Sequence, residues 1–324
     1  MDIMCSAELE YVNFRGPKGI FLREFVLPEN GLYKRINVDK DLAELKSDEL
    51  SSIKQIRNEF SLPTWTRPFF VTLDAATGKH VTSLCVIAQE SVDPPLIDPY
   101  ISSYLGPINF ALFTKFSKLR HLELYGIIPL ADSLKEIAEL SNLEYLGLNY
   151  NCNDEDLKII SGLSNLKFLN LSGPKITGAG FKYLAKLNEL KTLDLRGTNI
   201  DFDSLNYLID LETLETLLLS DTQIDNNCIK ILAKLKKLKY LSLHHTNISD
   251  TGLKDLAILN LKYVSLYGTN TSKKGYNFLK KNNPKIILKL QRPQHLKDFL
   301  KDRLFIRAYI GDYNAQSSLI FEYQ

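Results

Sequence analysis

The stretch Leu190-Lys191-Thr192-Leu193-Asp194-Leu195-Arg196-Gly197-Thr198-Asn199-Ile200, followed by Asp201 to Leu211, decides the fold of this 324-residue chain. Alternation across Leu193 and Leu195 predicts a short strand, with the leucines on one side and Thr192, Asp194 and Arg196 on the other. Gly197 and Thr198 then turn the chain. Leu205, Leu208 and Leu211 follow at steps of three, the spacing of one face of a helical turn. The unit is therefore strand, turn, helix.

The same phrase recurs at Leu119-Leu122-Leu124, Leu143-Leu146-Leu148, Leu166-Leu169-Leu171, Leu190-Leu193-Leu195, Leu214-Leu217-Leu219, Leu238-Leu241-Leu243 and Leu261-Val264-Leu266. Successive first positions step by 24, 23, 24, 24, 24 and 23 residues. One unit cannot cover its own leucines, so the copies must stack around a continuous core, strands in a parallel sheet on one side and helices on the other. The resulting class is α/β.

With Thr198-Asn199-Ile200, Thr222-Gln223-Ile224 and Thr246-Asn247-Ile248-Ser249-Asp250-Thr251-Gly252-Leu253, the chain resembles the leucine-rich-repeat family. The likeness is to its short variants, with a TxIxDxGLxxLxxL second half, seen in bacterial proteins and, in related form, in eukaryotic adaptors. The resemblance implies a solenoid that binds other proteins.

Departures from the pattern mark the ends of the array. Cys152 stands where other copies have Ile176, Ile200, Ile224 and Ile248, and reads as a small core residue. The last copy has Thr271 there, and Lys285 to Leu290 supplies one more strand. Phe110, Phe113 and Phe116 mimic the helix leucines one period before the first complete copy, with no clear strand ahead of them. Three segments are expected: an α+β domain over 1–94, the solenoid over 95–292, and a terminal cap over 293–324. In the first, Tyr11 to Phe14 and Ile20 to Leu27 read as strands, Asp41 to Phe60 as helix, and Phe69 to Leu73 with Val81 to Ala88 as a hairpin. In the last, a short helix around Leu296 to Phe299 precedes strands Leu304 to Ile310 and Ser318 to Tyr323.

Composition bounds the function. No apolar run reaches membrane-spanning length, and the first residues lack the basic start and apolar stretch of a signal peptide, so a cytoplasmic protein is expected. Four scattered cysteines form no CxxC pair, which points to neither a disulfide framework nor a zinc site. The net charge of +2 hides an asymmetry: Cys228 to Arg303 holds 15 Lys and 2 Arg against 4 Asp and no Glu, a net of +13, leaving −11 elsewhere.

Chemistry-bearing motifs are sparse. Gly78-Lys79-His80 lacks the spacing of a phosphate loop and reads as a hairpin turn. His244 and His245 diverge from a strand and lack a third ligand. Leu62-Pro63-Thr64-Trp65 is not followed by the helical pattern of an F-box. The reading is of a non-enzyme with no cofactor and no metal, and a small-molecule substrate is not indicated. Two alternatives stand beside it: an enzymatic or effector N-terminal domain whose target the repeats recruit, and nucleic-acid binding through the lysine-rich half. Against the second, the inner positions of the basic repeats are Tyr240, Ser242, His244, Tyr263, Ser265 and Tyr267, without Arg or Lys.

Alternation places the non-leucine strand residues on the solvent-facing inner side. The expected partner-binding residues are Tyr125, Tyr145, Phe168, Arg196, Tyr240, His244, Tyr263 and Tyr267, because aromatic side chains and Arg anchor protein interfaces. The competing reading is that the rings ladder against one another across the strands, Tyr240 beside Tyr263 and Tyr145 beside Phe168. The partner is a protein, and the forms that fit are an inhibitor or immunity protein and an adaptor.

Overall fold

A computed structural model describes residues 24–26, 34–35, 45–60, 69–73, 80–87, 105–125, 127–129, 133–149 and 152–289. Each leucine phrase forms a strand at the expected place: β6 (His121–Tyr125), β8 (Tyr145–Asn149), β9 (Phe168–Asn170), β10 (Thr192–Asp194), β11 (Thr216–Leu218), β12 (Tyr240–Ser242) and β13 (Tyr263–Ser265). They pair in parallel, each phrase with the next, so that Leu193 is the register partner of both Leu169 and Leu217. The predicted extra strand is β14 (Ile287–Lys289), paired with β13. Leu122, Leu146, Leu169, Leu193, Leu217 and Leu241 are all fully buried, forming the continuous core that stacking requires.

Between strands the chain runs through short outer elements. Four are 3₁₀ turns, at Phe110–Lys115, Ser133–Glu139, Phe181–Lys186 and Ser204–Asp210. Four are α-helices, α2 (Asp156–Ile160), α3 (Asn226–Leu232), α4 (Asp250–Leu256) and α5 (Lys273–Asn282). Phe110, Phe113 and Phe116 are buried, as their match to the helix leucines predicts, and so is Cys152. Burial, reinforced by the neighbouring charges of Asp156 and Asp154, pushes the Cys152 thiol well up, so it fills the isoleucine slot as an unreactive core group.

The threonine of the TxI element, and its counterpart Thr269 in the last copy, have a specific task. Thr198, Thr222, Thr246 and Thr269 donate from Oγ1 to the carbonyls of Leu195, Leu219, Leu243 and Leu266, at 2.6 to 2.7 Å. Each closes the turn that follows its strand. That turn carries a left-handed residue in four successive copies, Gly197 (φ 65), Asp221 (φ 59), His245 (φ 50) and Gly268 (φ 68).

Ahead of the repeats lie β1 (Glu24–Val26), β2 (Lys34–Arg35), α1 (Ser47–Phe60), β3 (Phe69–Leu73) and β4 (Val81–Ile87). β3 and β4 form the predicted antiparallel hairpin. β4 also pairs in parallel with β6, Leu84 beside Leu122 and Val86 beside Leu124. It therefore supplies the strand ahead of Phe110 that the 24-residue period does not reveal. The twelve-stranded sheet runs from β14 to β2, while β5 (Leu105–Ile108) and β7 (Ile127–Pro129) form a separate parallel pair. Glu49, buried in the first turn of α1, accepts from the Val81 amide at 2.8 Å and contacts His80 Nδ1 at 2.9 Å, fixing the helix to the start of β4. The strand expected at Tyr11 to Phe14 and the cap over 293–324 lie outside the described residues.

Candidate functional site

The inner side of the sheet carries the residues that alternation predicted, but far more covered than predicted. Phe168, Tyr240 and Tyr263 are buried, only 5%, 2% and 5% exposed, and so do not face solvent. Asn170, Thr192, Asp194, Thr216, Ser220, Ser242 and Ser265 are buried with them. One physical reason is the parallel in-register pairing, which sets like positions of neighbouring repeats side by side at strand spacing. Thus Tyr240 and Tyr263 are register partners, as are Tyr145 and Phe168.

At the N-terminal end of the repeats this becomes a ring stack. His121 lies 3.8 Å from Tyr145 between centroids, and Tyr145 lies 4.0 Å from Phe168, with the ring planes nearly parallel. The Tyr145 hydroxyl donates to Oε1 of Glu123 at 3.1 Å, a carboxylate that is itself buried. His121 Nε2 stands 3.7 Å from the other carboxylate oxygen. Gly147 gives Glu123 its room, since a methyl group there would approach Glu123 Cγ to 3.1 Å. Tyr145 and His121 remain half-exposed at the surface of this stack.

In the middle of the sheet Arg196 folds back on Asp194 of the same strand phrase. Its Nε donates to both carboxylate oxygens, at 2.8 and 3.0 Å, and Nη2 donates to Oδ2. Asp194 is buried, while the Arg196 side chain is 29% exposed. A buried carboxylate thus holds a surface guanidinium in one orientation.

At the C-terminal end His244 Nε2 contacts Ser265 Oγ, and the His244 amide donates to Ser220 Oγ at 3.3 Å. Ser220 and Ser242 share a hydrogen bond of 2.8 Å. Tyr267 meets His244 and His245 edge-on, with centroids 6.2 and 4.8 Å apart. His245 leaves the strand in a left-handed conformation and is exposed, so the two histidines diverge as expected. Tyr125 ends β6 as the partner of Ile87 and Asn149, and its side chain lies outside the described residues.

Of the eight residues singled out, Tyr145, Arg196, His244 and Tyr267 lie half-exposed on the inner side. Glu123 and Asp194 were not among them, yet they fix Tyr145 and Arg196. The sequence signal for Asp194 was its two-residue spacing from Arg196 along one strand. Among the described residues no group of three or more His, Cys, Asp or Glu side chains could hold a metal ion, and no helix is long and apolar enough to cross a membrane.

No family model and no curated protein matches the chain. Solved structures of similar fold include a leucine-rich-repeat protein of Leptospira interrogans, 24% identical over 58% of this chain and 53% of that one, with a TM-score of 0.42. Two internalins of Listeria monocytogenes are also similar. One is 19% identical over 68% of this chain and 60% of its own (TM-score 0.44), and internalin C2 is 23% identical over 65% and 80% (TM-score 0.48). The chain spans 53% and 60% of the length of the first two. The assignment of a leucine-rich-repeat solenoid rests on the strand register and buried leucines described above.

Proposed function

We propose that this chain is a non-catalytic protein-binding solenoid that receives a partner protein on the inner side of its repeats. The observation that carries the reading is the fixing of surface-reaching anchors by buried groups. Tyr145 is held by ring stacking and Glu123, and Arg196 by Asp194. Side chains already held in place lose little entropy when a partner docks, and tyrosine and arginine are the residues that anchor interfaces. His244 and Tyr267 extend the same side toward the C-terminal repeats. Phe168, Tyr240 and Tyr263 support it from beneath rather than touching the partner.

An inhibitor or immunity protein, which masks one target, and an adaptor, which joins two, are the forms this reading takes. Affinity capture from the native cell extract tests it, comparing wild type with a His121→Ala/Tyr267→Ala variant of equal melting temperature. A protein retained by wild type and lost from the variant supports the reading, and its identity separates inhibitor from adaptor. Equal capture of every protein by both overturns it.

A further inference from the structure

The outer side of the stack divides into two blocks of opposite charge with a common border. On the outer elements, residues 201–212 hold Asp201, Asp203, Asp210 and Glu212 and no Lys or Arg, a net of −4. The outer elements that follow hold four lysines over 228–237, Lys254 against Asp250 and Asp255 over 250–258, and five lysines over 273–285, a net of +8. The sign changes at fixed register, because Asp210 and Lys234, and likewise Glu212 and Lys236, occupy the same place in successive repeats. All four are exposed.

Each block also exposes a pair of large apolar side chains. Phe202 (46% exposed) and Tyr207 (44%) lie beside Asp201, Asp203 and Asp210 on or next to the Ser204–Asp210 turn. Ile258 (66%) follows α4, which carries Lys254 beside Asp250 and Asp255, and Phe278 (38%) lies among the lysines of α5. Lys239 pairs with Glu215 across the border at 2.8 Å, at the strand edge and not on the outer elements.

We infer that this outer side is an interface between two copies of the chain. A twofold axis over the border lays the acidic block of one copy on the basic block of the other, twice in one dimer, and sets Phe202 and Tyr207 against Ile258 and Phe278. Such an interface is isologous and closes on itself. A nucleic acid would satisfy only the basic block, and a basic peptide only the acidic one. A second copy answers both charges and covers both apolar pairs, with the charge pattern fixing the register. This surface is opposite the inner side proposed for the partner protein.

Sedimentation equilibrium of the full chain tests it, with salt as a variable. Wild type dimerises at low salt, and its Kd rises at least about tenfold at high salt as exposed charges are screened. Asp203→Lys/Asp210→Lys cancels the net charge of the acidic outer block, and Lys234→Glu/Lys254→Glu halves that of the basic one. Each variant alone dimerises at least about tenfold more weakly than wild type while melting as wild type does, and the two mixed in equal amounts pair more tightly than either alone. A wild type that stays monomeric at low salt overturns the inference, including when it binds a nucleic-acid oligomer instead. So does a dimer indifferent to both charge reversals, or a mixture that fails to pair.

Discussion

The carboxylate of Asp154 is seated on Gly180 of the next repeat. Its Oδ1 accepts from the Gly180 amide at 3.1 Å and from the Gly178 amide at 3.0 Å, while Oδ2 accepts from the Thr177 amide and hydroxyl at 2.9 and 2.7 Å. A methyl group on Gly180 would lie 2.3 Å from the Asp154 carbonyl oxygen, so only glycine fits. The relation returns with Asn226 over Ser249 and Gly252, and with Asp250 over Ser272. Each side chain serves as an N-terminal cap for the neighbouring repeat rather than its own.

Asp154→Ala should therefore cost roughly 1 kcal/mol, the usual scale of a lost cap. Its partial burial raises the carboxyl pKa, but the bonds from Thr177, Gly180 and Gly178 outweigh this and hold it below the ordinary value. A lowered folded pKa means the contribution is complete above the unfolded value of about 3.9 and is lost as pH falls through the lower folded value. Denaturant titrations of wild type and variant at pH 6 and at pH 3 or below should show the gap shrinking on acidification. A gap that widens there contradicts the cap.

Gly268 carries φ 68, and a methyl group on it would stand 2.5 Å from Nδ1 of His245. Gly268→Ala should cost about 1–2 kcal/mol in backbone strain alone, with a further cost from the displaced ring. In a His245→Ala background the further cost disappears and the strain remains. A four-variant denaturation cycle measures the coupling, and a coupling of zero denies the contact.

Arg196→Ala leaves the buried Asp194 carboxylate without its guanidinium. The expected loss is about 1.5–3 kcal/mol, the scale of a charged hydrogen-bonded group, since Arg196 itself remains partly solvated. Adding Asp194→Asn should recover part of it. A double variant no more stable than Arg196→Ala would show that the carboxylate is satisfied without the arginine.

Leu193 and Leu217 are fully buried register partners in the central repeats. Replacing either by alanine should cost on the order of 2–5 kcal/mol through lost burial and the cavity left behind. Thermal or chemical denaturation reads the change directly, and unchanged stability would contradict the shared core.

What could be read from the chain follows from which interactions are local. The leucine phrases name their strands because alternation and a 24-residue period leave one way to bury Leu193 and its equivalents. The outer elements were legible only as helical turns, since steps of three residues serve both α and 3₁₀ geometry. The residue before each element does not separate the two: extended Asp225, Ser249 and Ser272 open α3, α4 and α5 and helical Gly180 and Asp203 open 3₁₀ turns, but extended Asn109 also opens a 3₁₀ turn and helical Glu155 opens α2. β4 was recognised as a hairpin strand but not as the neighbour of β6, because that pairing follows no period. On the inner side, alternation told which way Phe168, Tyr240 and Tyr263 point. It did not tell how deeply they are covered, which depends on what the whole chain places over them.

The central claim is that the inner side, and not the outer, meets the partner protein. Hydroxyl-radical footprinting of the captured complex against the chain alone tests this residue by residue. Tyr145, His244 and Tyr267 should lose reactivity in the complex, while Tyr207 and Phe278 on the outer elements keep the level they have in the chain alone. Protection confined to Tyr207 and Phe278, with the inner residues unchanged, would contradict it.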